Sequence, residues 1–241
     1  MTENIIHLVL ARTPDEPKGV KGISMFIVPK YMVNDDGSCG ERNDVICSSV
    51  EHKMGIHASP TCVMNYGENG GAVGYLVGEE NRGLMHMFTM MNAARHAVGR
   101  EGVAISEAAY QLALGHAVER VQGQAPGAAE GSAIIEHPDV KRMLMTMKAE
   151  IFAARAIALD CGAAIDMSTA TGDPRWSARA AFLTPIAKAF GTDTGIAVAE
   201  AGVQLHGGMG FIEETGAAQY SRDVRVTAIY EGTNGIQAMD L

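Results

Sequence analysis

The chain has 241 residues, 47% of them hydrophobic and 20% charged, and a formal net charge of −9 at neutral pH. That composition belongs to a chain with a packed core and excludes extended disorder; the acidic balance argues against nucleic acid or an anionic membrane as partner, because a polyanion is repelled overall. The length suits one substantial core or two modest ones, and the four cysteines contain no Cys-x-x-Cys pair and so neither a zinc spacing nor a disulfide framework. No apolar run is long enough to span a bilayer, and the amino terminus lacks a charged segment followed by a long apolar one, so the chain reads as cytoplasmic or as a processed organelle protein.

The first third alternates short β-branched runs with turn residues. Strands are predicted at 5–11, 23–29, 45–50, 61–66 and 72–77, separated by turns at 15–19, 35–37 and 67–71. From about Asn81 the spacing becomes helical. A helix is predicted from about Leu84 to Val121, with Leu84, Phe88, Met91, Ala94 and Val98 on its apolar side, followed by a flexible connector from Gly123 to Ser132. His137-Pro138 opens the clearest helix, since proline lacks an amide hydrogen that would go unpaired in the first turn. Val140, Leu144, Met147, Ile151, Ala154, Ala158, Cys161 and Ile165 then form one seam, roughly 38 Å long at 1.5 Å per residue, which calls for a helical bundle. A third helix, from about Ser177 to Leu205, is interrupted by Pro185 and is expected to start late or kink there. The 15 methionines, grouped at 85–91 and 143–147, read as fillers of irregular helix cores. The fold class is therefore α+β, mainly α: a partial β-domain over 1–80, then a helical bundle over 81–241.

The chemistry gathers near the end. Gln204-Leu-His-Gly207-Gly208-Met-Gly210-Phe211 lets the backbone approach a bulky ligand at a helix end, and Ile229-Tyr230-Glu231-Gly232-Thr233-Asn234-Gly235 follows. A lone Gly-Gly-x-Gly is a helix stop more often than a cofactor loop, and no β-α-β context makes it a dinucleotide fingerprint. The eight histidines supply no compact metal-ligand trio, and Ser59 and Ser221 lack a Gly-x-Ser-x-Gly elbow. His206 beside the glycines reads as a structural hydrogen-bonding residue.

Together these segments resemble the carboxyl-terminal signature of the acyl-CoA dehydrogenase family. The resemblance continues through Glu51-His-Lys-Met-Gly-Ile-His-Ala-Ser-Pro-Thr-Cys62 and Gly78-Glu-Glu-Asn-Arg-Gly-Leu84, covers nearly the whole chain, and is nearest in wording to the 3-methylmercaptopropionyl-CoA dehydrogenase branch. It implies the family's bundle, FAD as cofactor, an acyl-CoA substrate, electron-transfer flavoprotein as electron acceptor and a homodimer or homotetramer. It also implies that the chain is a carboxyl-terminal portion, inactive by itself.

The resemblance makes Glu231 the general base that removes an α proton while a β hydride passes to flavin N5. A base works best with its pKa tuned toward the working pH, which an apolar setting does for a carboxylate. The family's other position for the base, just before the arginine of the first bundle helix, is Ala94 here. Asn92 and Arg95, with Gly232, match substrate contacts. Arg120, Gln204 and Gly208 match contacts to the FAD of a neighbouring subunit, Gln122 matches a flavin contact, and Thr233 and Gly235 match contacts near the cofactor's pyrophosphate. Guanidinium suits pyrophosphate because it donates two parallel bonds. The chain departs from the family pattern after Arg120, where Val-Gln-Gly-Gln replaces the usual wording, and at Gln219, where the family has a cation. An acyl-CoA oxidase and a non-catalytic flavin-binding relative remain open.

Overall fold

The computed structural model describes residues 4–14 and 16–241. The chain divides into two compact units: the residues up to Lys53 together with His57–Met91, and Met54–Ile56 together with Asn92–Leu241.

The first unit is built from antiparallel strands β1 (Ile6–Ala11), β2 (Ser24–Pro29), β3 (Tyr31–Val33), β4 (Cys39–Arg42), β5 (Val45–Val50), β6 (Cys62–Tyr66) and β7 (Tyr75–Leu76). They form a three-stranded sheet in the order β1-β2-β7 and two hairpins, β3-β4 and β5-β6. The register of the sheet runs from Ile6 opposite Pro29 to Ala11 opposite Ser24. Four predicted strands match to within a residue at each end. The fifth shrinks from 72–77 to Tyr75–Leu76, since the residues before it are held by other means: Asn43 accepts from the Val73 amide and donates to the Val73 carbonyl. The predicted turn at 15–19 begins outside the described residues. Ser24, fully buried, accepts from the Asn81 amide, and the Gly83 amide bonds the Ile23 carbonyl. These bonds fix the start of helix α1 (Gly83–Glu119) on β2.

The second unit holds most of α1 with α2 (Pro138–Thr171), α3 (Pro174–His206), α4 (Ala217–Val224) and α5 (Asn234–Met239). α2 starts with proline in its first turn and stops at Gly172, whose φ of 66° only glycine adopts without strain. Asp173 then caps α3 by accepting from the Arg175 amide. A two-residue link forces α2 and α3 to lie as antiparallel neighbours. The core joins Ala109, Ala113 and Ala117 of α1, Leu144, Met147 and Ile151 of α2, Val198, Ala199 and Leu205 of α3, and Val224 of α4. Six of the eight predicted seam residues of α2 are buried, and the end residues Val140 and Ile165 are partly buried.

Three expectations need correction. α3 starts at Pro174 and continues through a buried Pro185, because the Asp173 cap nucleates it three residues early. Phe88 is exposed rather than part of an apolar seam. Met147 is buried and Met143 packs on the core, whereas Met85, Met90 and Met145 are exposed, so the methionines are not uniformly core fillers.

Glycine also acts inside the bundle. A Cβ at Gly102 would stand 2.1 Å from the Gly191 carbonyl oxygen, and one at Gly99 would stand 2.6 Å from that of Ala187. α1 and α3 therefore meet backbone to backbone. Among the described residues no helix is long and apolar enough to cross a membrane, and no three His, Cys, Asp or Glu side chains are grouped to hold a metal ion.

Candidate active site

Two groups of the residues singled out above come together in the second unit. The first surrounds the turn between Ile229 and α5. Glu231 is half-buried and has a φ of 55°, and Gly232 follows at 82°. Glycine accepts this left-handed conformation freely, but a glutamate pays about 1–2 kcal/mol for it, so other contacts must hold it there.

Those contacts converge on two carbonyls. The Glu231 carbonyl accepts from Arg95 Nε at 3.4 Å and Gln237 Nε2 at 3.3 Å; that of Gly232 accepts from Lys188 Nζ at 2.8 Å and Gln237 Nε2 at 3.1 Å. Arg95 is 7% exposed, and Lys188 and Gln237 are fully buried. Arg95 also pairs with Asp240 at 2.8 Å, and Lys188 donates to Asn234 Oδ1 at 2.9 Å. Asn234 in turn donates to Thr192 Oγ1 and Asp193 Oδ1. Burial pulls the Lys188 pKa down, opposed by Asp193 and, more weakly, by Glu231, while Arg95 acts with burial. Tyr230 donates to Glu101 on α1 at 2.5 Å, and burial followed by that carboxylate pushes its phenol well above the usual range. A Cβ at Gly232 would lie 2.7 Å from Gln237 Nε2 and 3.3 Å from Arg95 Nη2, so the turn is closely enclosed.

Thr233 caps α5 by accepting from the Ile236 amide, Gly235 is exposed in the first turn of that helix, and Asn92 is exposed on α1. Arg95 is turned to the chain's own carboxyl-terminal segment through the Glu231 carbonyl and Asp240.

The second group lines an open cleft of about 430 Å³ where the end of α1 meets the end of α3. His116, Arg120, Gln122, His206, Gly207 and Gly208 are among its walls. Gln204, exposed nearby, accepts the Gly207 amide through its carbonyl. An added Cβ at Gly207 or Gly208 would meet no atom within 4 Å, so this backbone stands open to a flat ligand. The exposed Arg120 guanidinium makes a bond of 3.4 Å to Gln122, and it suits a phosphate group. A more voluminous cleft, about 640 Å³, lies between α1 and α2. It contains none of the candidate site residues, and chemistry favours the smaller one.

His206 donates through Nδ1 to the Gly202 carbonyl at 2.7 Å, and its ring stacks on that of His116 at 4.4 Å between centroids. Burial, then the His206 ring and Arg120, lower the His116 pKa below its ordinary 6.5, with Glu119 acting the other way. The fold therefore prefers the neutral ring: this stabilisation is complete above the unfolded value and is lost as pH falls toward the lowered folded one. The melting temperature is expected to fall more between about pH 7.5 and about pH 5.5 in the wild type than in His116→Asn; equal falls would show that His116 does not contribute.

The family described as acyl-CoA dehydrogenase, C-terminal domain, matches residues 81–241. The chain belongs to the acyl-CoA dehydrogenase family. It is 52% identical to 3-methylmercaptopropionyl-CoA dehydrogenase of Ruegeria pomeroyi over 246 aligned positions, covering all of this chain and 41% of that protein. The chain thus spans about two-fifths of that relative. Among solved structures, butyryl-CoA dehydrogenase from Megasphaera elsdenii matches with a TM-score of 0.76 at 29% identity, over 97% of this chain and 54% of that one. An electron transferring flavoprotein structure from Acidaminococcus fermentans matches with a TM-score of 0.79 at 27% identity, over 98% and 55%.

Lys188, Gln237, Asp240 and Glu101 had no assigned role in the sequence reading. Lys188 carried a signal: it falls on the stripe Thr184, Ala187, Lys188, Gly191, Gly195, which is buried throughout, and a cation there requires partners.

Proposed function

We propose that the chain supplies the base and part of the flavin site of an FAD-dependent acyl-CoA dehydrogenase acting in the cytoplasm, with residues 1–80 from its β-domain and 81–241 as its bundle. The observation that carries this reading is the strained Glu231, whose own carbonyl and the next are held by buried donors. Backbone strain that the surroundings over-determine is concentrated at functional sites.

In this reading the Glu231 carboxylate takes the α proton of an acyl-CoA thioester. The electron pair left on the α carbon forms the new double bond as the β hydrogen departs as hydride. FAD, when bound, supplies the acceptor for that hydride. Tyr230, held by its bond to Glu101, and Gly232 flank Glu231 in the turn. Asn92 and Arg95 are assigned to the CoA side of the substrate, with Arg95 also holding the turn. Arg120, Gln122 and Gly208 line the open cleft and, with Gln204 beside it, would hold FAD there, Arg120, Gln204 and Gly208 that of a neighbouring subunit; Thr233 and Gly235 would lie toward the cofactor's pyrophosphate. The cleft residues fit such a group: a guanidinium for phosphate and bare backbone for a flat ring.

An electron-transfer flavoprotein is the electron acceptor that the family resemblance implies and that we propose here, and the relatives' names support a short acyl-CoA as substrate. A homodimer or homotetramer is the assembly proposed. Anaerobic mixing of a short acyl-CoA with the flavin-loaded whole dehydrogenase that carries this chain tests the reading. The oxidised flavin's visible absorbance is expected to bleach with formation of the enoyl thioester; retention of the absorbance with every short acyl-CoA tried would overturn it.

A further inference from the structure

We propose that Lys188 is a positioning residue for the base: its buried ammonium holds the turn at Glu231 and Gly232 in the left-handed conformation that dehydrogenation needs. The proposal rests on the assignment of Glu231 made above. Lys188 lies on α3 and reaches across to a segment 44 residues further along the chain. It is fully buried, and its ammonium donates twice to that segment: 2.8 Å to the Gly232 carbonyl and 2.9 Å to Asn234 Oδ1.

A lysine on the apolar face of an alanine-rich helix is costly unless its charge is used. If packing alone were wanted, methionine would fill the space without the cost. What the charge accomplishes is local. Two successive residues at positive φ point their carbonyls inward, away from water, and such carbonyls must find donors. Lys188 serves one, Arg95 serves the other, and Gln237 bridges both. Asn234 is itself fixed by Thr192 and Asp193, the residues one turn beyond Lys188 on α3. The turn therefore takes its geometry from α3 as well as from Arg95 on α1, and Lys188 is the charged link from α3. Without it, Glu231 is free to leave the left-handed region for an ordinary conformation, carrying the carboxylate away from its place.

The test compares Lys188→Met with wild type by hydrogen exchange of peptides spanning 229–239 and of peptides within α3, and by anaerobic flavin reduction in the loaded protein. Protection of 229–239 is expected to fall about 10- to 100-fold, the equilibrium factor attached to losing bonds to a charged donor, while α3 keeps its protection. The reduction rate is expected to drop at least about tenfold with the acyl-CoA KM little changed, the pattern for losing an interaction that matters only to the transition state. Asn234→Ala, which removes one acceptor of the Lys188 ammonium together with the bonds to Thr192 and Asp193 but replaces no residue of α3, should show a change of the same kind and serves if Lys188→Met does not fold. Unchanged protection at 229–239 overturns the proposal, as does a loss confined to KM. If protection is lost but Glu231→Gln itself reduces flavin at the wild-type rate, the role of Lys188 in holding the turn stands and the assignment of the base fails.

Discussion

Glu231→Gln is expected to lower the rate of flavin reduction by acyl-CoA about 10²- to 10⁴-fold, the range general-base catalysis usually supplies, while flavin content and melting temperature stay near those of wild type. The carboxamide has the same shape as the carboxylate and keeps the backbone unchanged. The hydrogen bonds that hold the turn run to the main-chain carbonyls of Glu231 and Gly232, not to the side chain. The substitution therefore removes a proton acceptor without loosening the site. Stopped-flow absorbance measures the rate and thermal melting the stability. A rate within threefold of wild type would mean that another group takes the proton, and a large loss of stability would mean that the side chain is structural.

The second large effect is on the bundle. Gly102→Ala is expected to destabilise the protein by about 2 kcal/mol, within the range for overpacking a core. For a unit of this size that is a fall in melting temperature of roughly 4–8 °C. The sign is the informative part, because alanine in a helix is ordinarily better than glycine by about 1 kcal/mol. At Gly102 the new methyl would meet the backbone of Gly191 and Thr192, the nearest atom at 2.1 Å. Backbone cannot swing aside as a side chain does. Gly115, in the same helix, has no atom within 4 Å of an added Cβ, so Gly115→Ala should raise the melting temperature instead. α1 carries Arg95 and α3 carries Lys188, so forcing these helices apart at Gly102 should also slow flavin reduction. Shifts of the same sign in the two variants would contradict the close approach of α1 and α3.

Strands and helices were legible where their signals were local. β-branched runs gave β1, β2, β5 and β6, and the seam of α2 followed from its spacing. β3 and β4 were missed because Tyr31–Val33 is only three residues long and Cys39–Arg42 reads Cys-Gly-Glu-Arg, which has no alternation of apolar residues. The interior glycines of α1 and α3 have no local signature at all, since their meaning lies in what faces them. The same division holds at the site. Glu231 and Gly232 stood out through a motif, and Arg120, Gln122 and Gly208 were named from resemblance before the fold set them around one cleft. The clamp was invisible: Arg95 and Glu231 are 136 positions apart, and nothing in a linear reading connects Lys188 to a carbonyl in a later turn. Glu231 itself bore no sign of its positive φ, because a motif names a residue type and not a backbone conformation.

The most direct measurement of the central claim is α-hydrogen exchange in heavy water, using an acyl-CoA whose β carbon carries no hydrogen, so that proton removal is seen without the hydride step. The flavin-loaded wild type is expected to place deuterium at the α carbon, and Glu231→Gln to do so at least about a hundredfold more slowly. Exchange at equal rates in the two proteins would contradict the assignment of Glu231 as the base.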